Sequence, residues 1–227
     1  MLYESVRKLP QVDFVYFADN FCVPYGSLPK ETLINKVDGF FKQINDLNPA
    51  AAVIACNTVT AQCADFLRAK YSFPIIGIQP AVKPAALSGG KSAVLLTPAT
   101  AASEPVRALV ERYGNGETEV LPCADLAAYI ENNIFNLNKK EVFRRLPATK
   151  AENIVLGCTH YFYIKDIIKE YYGCRIFDGN EGTLRQICKI LGNFDHHFKK
   201  GSKIAFSGGD AAKNAEVFKM LVAQSGL

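Results

Sequence analysis

The sequence predicts an α/β fold of two pseudo-symmetric lobes, each a parallel sheet flanked by helices, with the active site between the lobes. Two observations carry this. Short apolar runs alternate with amphipathic stretches along the whole chain, the order expected of parallel strands joined by helical crossovers. The two halves also echo one another: an apolar run ends in Ala55-Cys56-Asn57-Thr58 in the first and in Gly157-Cys158-Thr159-His160 in the second, each leading into a helix.

The elements follow in order. Met1 to Arg7 begins the chain as a helix. Val12 to Phe17 is strand-like. Pro29 to Asn48 reads as a helix, because Leu33, Ile34, Val37, Phe40, Phe41 and Ile44 recur at helical spacing. Ala50 to Ala55 reads as a strand buried on both faces, followed by a helix from Thr58 to Tyr71. Strands are expected at Pro74 to Ile78 and Lys91 to Leu96, with a new element beginning at Pro80 between them. A helix from Glu104 to Tyr113 is stopped by Gly114-Asn115-Gly116. A short strand at Glu119 to Leu121 precedes helical stretches at Ala124 to Asn133 and Lys139 to Leu146. Then come a strand (Asn153 to Leu156), a helix (Tyr161 to Tyr171), a strand (Cys174 to Phe177) and a helix (Thr183 to Leu191). Lys203 to Phe206 is a last strand, before a helix from Ala211 to Ala223. Ser88-Gly89-Gly90-Lys91 reads as a linker. Residues 1–88 with roughly 203–227 form the first lobe, and residues 89–202 the second.

Bulk properties narrow the function. The chain has 227 residues, 49% hydrophobic and 21% charged, enough for a sizeable core. Its net charge of +4 is mild, and its basic residues occur only in scattered pairs such as Lys139-Lys140, Arg144-Arg145 and Lys199-Lys200. These read as solvated faces, which argues against nucleic-acid binding. No apolar run reaches the roughly 20 residues that cross a bilayer, and the N-terminus does not read as a signal peptide. Seven cysteines, an odd count with no CxxC, fit free thiols in a reducing, cytoplasmic compartment. The three histidines, His160, His196 and His197, make no metal-ligand spacing with them, so neither a metal nor a cofactor is expected.

The chemistry is expected at the two strand ends. Each Cys would sit between a strand's C-terminal end and the N-terminus of the next helix, where open N–H groups and the helix dipole stabilise a thiolate or a bound carboxylate. Asn57, Thr58 and Thr159 offer donors beside them, and His160 adds a titratable group next to Cys158. Two opposed thiols suit a racemase: one removes the proton from one face of a carbon, and the other returns a proton to the opposite face. The carbanion would need strong stabilisation, for which helix N-termini and exclusion of water on lobe closure are available. A cysteine in an apolar strand is usually core. That reading is preferred for Cys22, Cys63, Cys123, Cys174 and Cys188, and for Cys56 and Cys158 taken singly the two readings stand level. Asn57, Thr58 and Thr159 could equally be helix caps, His160 a structural residue, and Tyr25-Gly26 an ordinary turn after Pro24.

Taken in order, the motifs resemble the glutamate racemases of the cofactor-independent aspartate/glutamate racemase superfamily, over nearly the whole chain. Tyr16-Phe17-Ala18-Asp19-Asn20 is similar to the family's strand ending in Gly-Asp-Thr, with Ala18 and Asn20 as departures. Val23-Pro24-Tyr25-Gly26 matches its Pro-Tyr-Gly loop, the two Cys tetrapeptides match its catalytic signatures, and Pro80-Ala81-Val82-Lys83 and Thr97-Pro98-Ala99-Thr100 match intervening segments. The resemblance implies Cys56 and Cys158 as the acid/base pair. It implies Tyr25, Gly26, Asn57, Thr58, Thr159, His160 and Thr100 as lining a glutamate site, and His160, Glu131 and Asp19 as supporting acid/base groups. It further implies D-glutamate supply for peptidoglycan, a cytoplasmic location and a homodimer.

One departure stands out. The family begins with a strand and an Asp-Ser-Gly loop, whereas this chain begins on the helix that follows them. The expectation is therefore a shortened chain in which Cys56 has lost an acidic neighbour, with little or no activity as written. Racemisation of another acidic amino acid such as aspartate is the alternative within the superfamily. A truncated, non-catalytic carboxylate-binding protein is the alternative outside it. Maleate isomerisation or hydantoin racemisation is less favoured.

Overall fold

A computed structural model describes residues 1–9, 12–192 and 203–224. His196, His197 and the Lys199-Lys200 pair lie outside the described residues. The chain divides into two compact units, one of residues 1–23 and 184–227 and one of residues 24–183.

In the first unit, β1 (Phe14–Phe17) pairs in parallel with Ile204–Ser207, in register Phe14 to Ile204. The helices Leu2–Lys8 and Ala211–Gln224 belong to it. The Phe206 ring meets both Tyr16 and Phe218 edge-on.

The second unit holds six strands. β2 (Ala52–Ile54) and β3 (Ile75–Gly77) form a two-stranded parallel sheet. The helices Lys30–Asp46 and Asn57–Lys70 cover the face that carries Ala52 and Ile54, burying Leu33, Val37, Phe41, Val59, Cys63 and Leu67 against it. Val53, on the opposite face, remains 36% exposed. The sequence expectation of a strand buried on both faces is thus corrected: successive side chains of a strand point to opposite sides, and the helices of this layer cover only one. At the far end of this layer Asp38 accepts hydrogen bonds from Lys70 at 2.7 Å and from the Tyr71 hydroxyl at 2.9 Å, fastening the two helices to each other.

β4 (Ser92–Leu96), β5 (Thr118–Pro122), β6 (Asn153–Leu156) and β7 (Arg175–Asp178) form a four-stranded parallel sheet in the order β5-β4-β6-β7. Every residue of β4 and β6 is buried. Ala93, Leu95, Ile154 and Leu156 pack on one face, and Val94, Leu96 and Val155 on the other. This is how a central parallel strand comes to read as a continuous apolar run. The helix Glu104–Tyr113 and the strand Asn153–Leu156 have the expected bounds. The stretch expected as one helix from Tyr161 to Tyr171 instead opens as a 3-10 turn, Thr159–Ile164, before the helix Lys165–Tyr172.

Ser88-Gly89 is anchored rather than loose. The buried Asn153 amide donates to the Gly89 carbonyl at 2.8 Å, and the Arg175 guanidinium donates to the carbonyls of both Ser88 and Gly89 at 2.9 Å. Among the described residues, no helix is long and apolar enough to cross a membrane.

Candidate active site

Cys56 and Cys158 occupy equivalent local positions. Each follows its strand by two residues, is extended (φ −147° and −139°), and caps the helical turn that comes next. The Cys56 carbonyl accepts the Thr60 N–H at 2.9 Å, and the Cys158 carbonyl accepts the Tyr161 N–H at 3.1 Å. The 3-10 turn after Cys158 is set by this i to i+3 bond, a common way for a helix to start.

Burial pushes the Cys56 thiol up to about 11, partly offset by the N–H groups of Val59 and Thr58 that face its sulfur. The charge of Cys158 acts on it in the same upward direction, so the two thiols lie within electrostatic reach of each other. The surroundings of Cys158 are different. Its Sγ lies 3.8 Å from His160 Nδ1, and His160 Nε2 lies 3.0 Å from Glu131 Oε2. Burial alone would lower the imidazole, but the sulfur on one side and the carboxylate on the other outweigh it and hold His160 at about 9. The sulfur and the carboxylate thus both favour the protonated ring of His160.

This has a consequence for stability. A histidine titrates near 6.5 when unfolded and this one near 9 when folded. The interaction contributes fully below about 6.5 and is lost as pH rises through about 9. The thermal midpoint of the wild-type protein is expected to fall across that window more steeply than that of His160→Asn, followed by circular dichroism. Parallel pH profiles for the two proteins would refute the assignment.

On the Cys56 side, the Asn57 amide reaches the Ile78 carbonyl at 3.5 Å. Thr58 Oγ1 bonds Thr100 Oγ1 at 2.9 Å and Thr97 Oγ1 at 3.2 Å. Tyr25 and Gly26 lie in a 3-10 turn, Tyr25–Ser27, with Tyr25 packed against the core of the β2–β3 layer. Gly26 sits so close to Thr97 that a Cβ there would come 2.5 Å from Thr97 Cβ. The structure therefore brings Gly26, Thr58 and Thr100 together through Thr97, and Glu131, Cys158 and His160 together in a line. Thr159 begins the 3-10 turn beside Cys158. Asp19 lies in the other unit, where its Oδ1 accepts the Cys22 N–H at 3.2 Å.

Sequence reasoning missed Thr97, although the Thr97-x-x-Thr100 spacing, with Pro98 beginning the short helix Pro98–Ala101, was signal enough to place both hydroxyls on one face. It also set aside Cys123, whose buried thiol faces the wholly buried Tyr161 hydroxyl. Among the described residues, no group of three His, Cys, Asp or Glu side chains is placed to hold a metal ion.

Residues 26–187 match the family described as Asp/Glu/Hydantoin racemase. The chain is 34% identical to the glutamate racemase of Campylobacter curvus, over 93% of this chain and 85% of the relative. It is 35% identical to that of Leptospira borgpetersenii, over 80% and 73%. Among solved structures it is similar to Escherichia coli glutamate racemase in complex with L-glutamate and the activator UDP-MurNAc-ala. That match has a TM-score of 0.81 and 25% identity, over 98% of this chain and 89% of the other.

Proposed function

Because the chain belongs to the Asp/Glu/Hydantoin racemase family, we propose that it interconverts L- and D-glutamate with Cys56 and Cys158 as its two acid/base groups. It is an amino-acid racemase, an isomerase. The observation that carries the two-thiol reading is that Cys56 and Cys158 stand at equivalent strand ends, each extended and each capping the helical turn that follows.

In each turnover one thiolate takes the Cα proton, and the electron pair of the broken C–H bond stays on Cα. The opposite thiol gives its proton to the other face, forming the new C–H bond and becoming the thiolate. One S–H forms and one breaks, so the protein ends with its proton on the other cysteine and needs no external donor. His160, held by Glu131, keeps positive charge beside Cys158 whenever that sulfur is anionic. The N–H groups of Thr58 and Val59 serve the same end at Cys56. The hydroxyls of Thr58, Thr100 and Thr159, the Asn57 amide, and the Tyr25-Gly26 turn bind the carboxylates and ammonium of glutamate.

The proposal extends to a cofactor-independent, cytoplasmic homodimer that supplies D-glutamate for peptidoglycan, with the site between two lobes, residues 1–88 with 203–227 and residues 89–202. These parts rest on the family resemblance. The test is to incubate the purified protein with either enantiomer in deuterated water. Deuterium is expected at Cα from both, with loss of optical activity. Slow turnover does not blunt this readout, because the label accumulates. Absence of label from both enantiomers would sink the reading.

A further inference from the structure

Thr58, Thr97 and Thr100 are only 3%, 4% and 1% exposed, and their hydroxyls form a closed triangle with sides of 2.8, 2.9 and 3.2 Å. Three hydroxyls carry three protons, and a closed ring uses all three. Each oxygen can donate once and accept once, so none is orphaned although all are buried, and the Thr58 side chain also faces the Cys56 sulfur, which gives its proton a direction out of the ring. Two of the three, Thr58 and Thr100, belong to the proposed glutamate site. Thr97 is the third corner.

Thr97 is firmly held. It is the last residue before the short helix Pro98–Ala101 and directly follows β4, the buried strand of the four-stranded sheet. The Gly26 backbone lies over its side chain, with Thr97 Cβ, Cγ2 and Oγ1 all within 2.8 Å of where a Cβ on Gly26 would stand. That leaves little room for the hydroxyl to leave the ring. A second bond, from Gln62 Nε2 to the Ala99 carbonyl at 3.2 Å, fastens the short helix to the helix that carries Thr58.

We propose that Thr97 is a positioning residue for substrate binding: its hydroxyl, braced by Gly26, closes a three-hydroxyl ring that fixes the direction in which Thr58 and Thr100 donate. When a carboxylate arrives, one of those two turns its proton outward and one side of the ring opens. The remaining bonds to Thr97 keep both oxygens in place, so the ligand meets oriented donors rather than free rotors. The inference rests on the glutamate-site reading above, and it adds a residue whose hydroxyl acts without touching the ligand.

The experiment compares Thr97→Val, which keeps the shape and removes the hydroxyl, with Thr97→Ser, which keeps the hydroxyl and removes the methyl. Both are made in the full chain and assayed in both directions, with glutamate binding followed by calorimetry. Thr97→Val is expected to raise KM roughly tenfold, the worth of about one hydrogen bond, with kcat within about twofold of wild type. Thr97→Ser is expected to behave as wild type. An unchanged KM in Thr97→Val overturns the proposal. So does a raised KM in Thr97→Ser, which would trace the effect to packing against Gly26, and that arm still decides if the valine variant does not fold. A wild-type protein that neither binds nor racemises glutamate overturns the functional reading itself, whereas a normal Thr97→Val in an active protein overturns only the role of Thr97.

Discussion

Replacing Cys56 or Cys158 by alanine is expected to abolish racemisation, by about a thousandfold or more, since in the proposed mechanism each supplies an acid/base step that nothing else replaces. The two variants should nevertheless differ from a dead protein and from each other. With Cys56→Ala, the Cys158 side remains and can remove and return a proton on its own face. One enantiomer should then exchange its Cα proton with deuterated water without inverting. With Cys158→Ala, only the opposite enantiomer should exchange. That second exchange should be the slower, because burial pushes the Cys56 thiol up to about 11. Proton NMR of each enantiomer incubated with each variant reads all four combinations. Wild-type exchange of both enantiomers by both variants would refute the two-thiol mechanism.

Gly157→Ala is expected to cost both stability and activity. A Cβ at this position would stand 2.3 Å from Leu96 Cδ2 and 2.7 Å from the Leu95 carbonyl oxygen. The leucine tip could turn aside, but the carbonyl cannot. It accepts the Gly157 N–H at 2.8 Å and lies within the buried central strand of the sheet. The chain following β6 would have to back away from β4, at about 1–3 kcal/mol, lowering the thermal midpoint by about 3–10 °C. Because Cys158 is the next residue, the shift passes directly to its sulfur, and racemisation should fall even where the protein remains folded. An unaltered melting curve together with unaltered turnover would show that the approach is not as tight as described.

Much of the second unit was legible from one dimension. Apolar runs as short as Asn153–Leu156 betray a strand buried on both faces, and the spacing in Glu104–Tyr113 betrays a helix. β2 looked the same as β6 in sequence, yet Val53 is open. An apolar run reports that a strand can be buried on both sides, not how many helices are there to cover it. The site divides in a similar way. The two cysteines and their flanking polar residues could be picked out because they are contiguous. The pairing of His160 with Glu131, 29 residues away, came only through family resemblance, since no local rule joins the helix Leu126–Asn132 to the turn after Cys158. The hydroxyl ring was invisible because it depends on where Thr58 ends up in space, not on any pattern around it. Asn153, which begins β6, likewise gave no sign that its amide would hold Gly89.

That last anchor bears on how the chain can be re-engineered. A Gly-Gly pair between two structured segments is where one would ordinarily splice in a tag, a reporter or a permuted terminus. Here the carbonyls of Ser88 and Gly89 are already taken by Arg175 and Asn153. Lengthening the stretch would disturb the short bond from the buried Asn153 amide and both bonds from Arg175, so an inviting graft point in the sequence is a tethered segment in the fold.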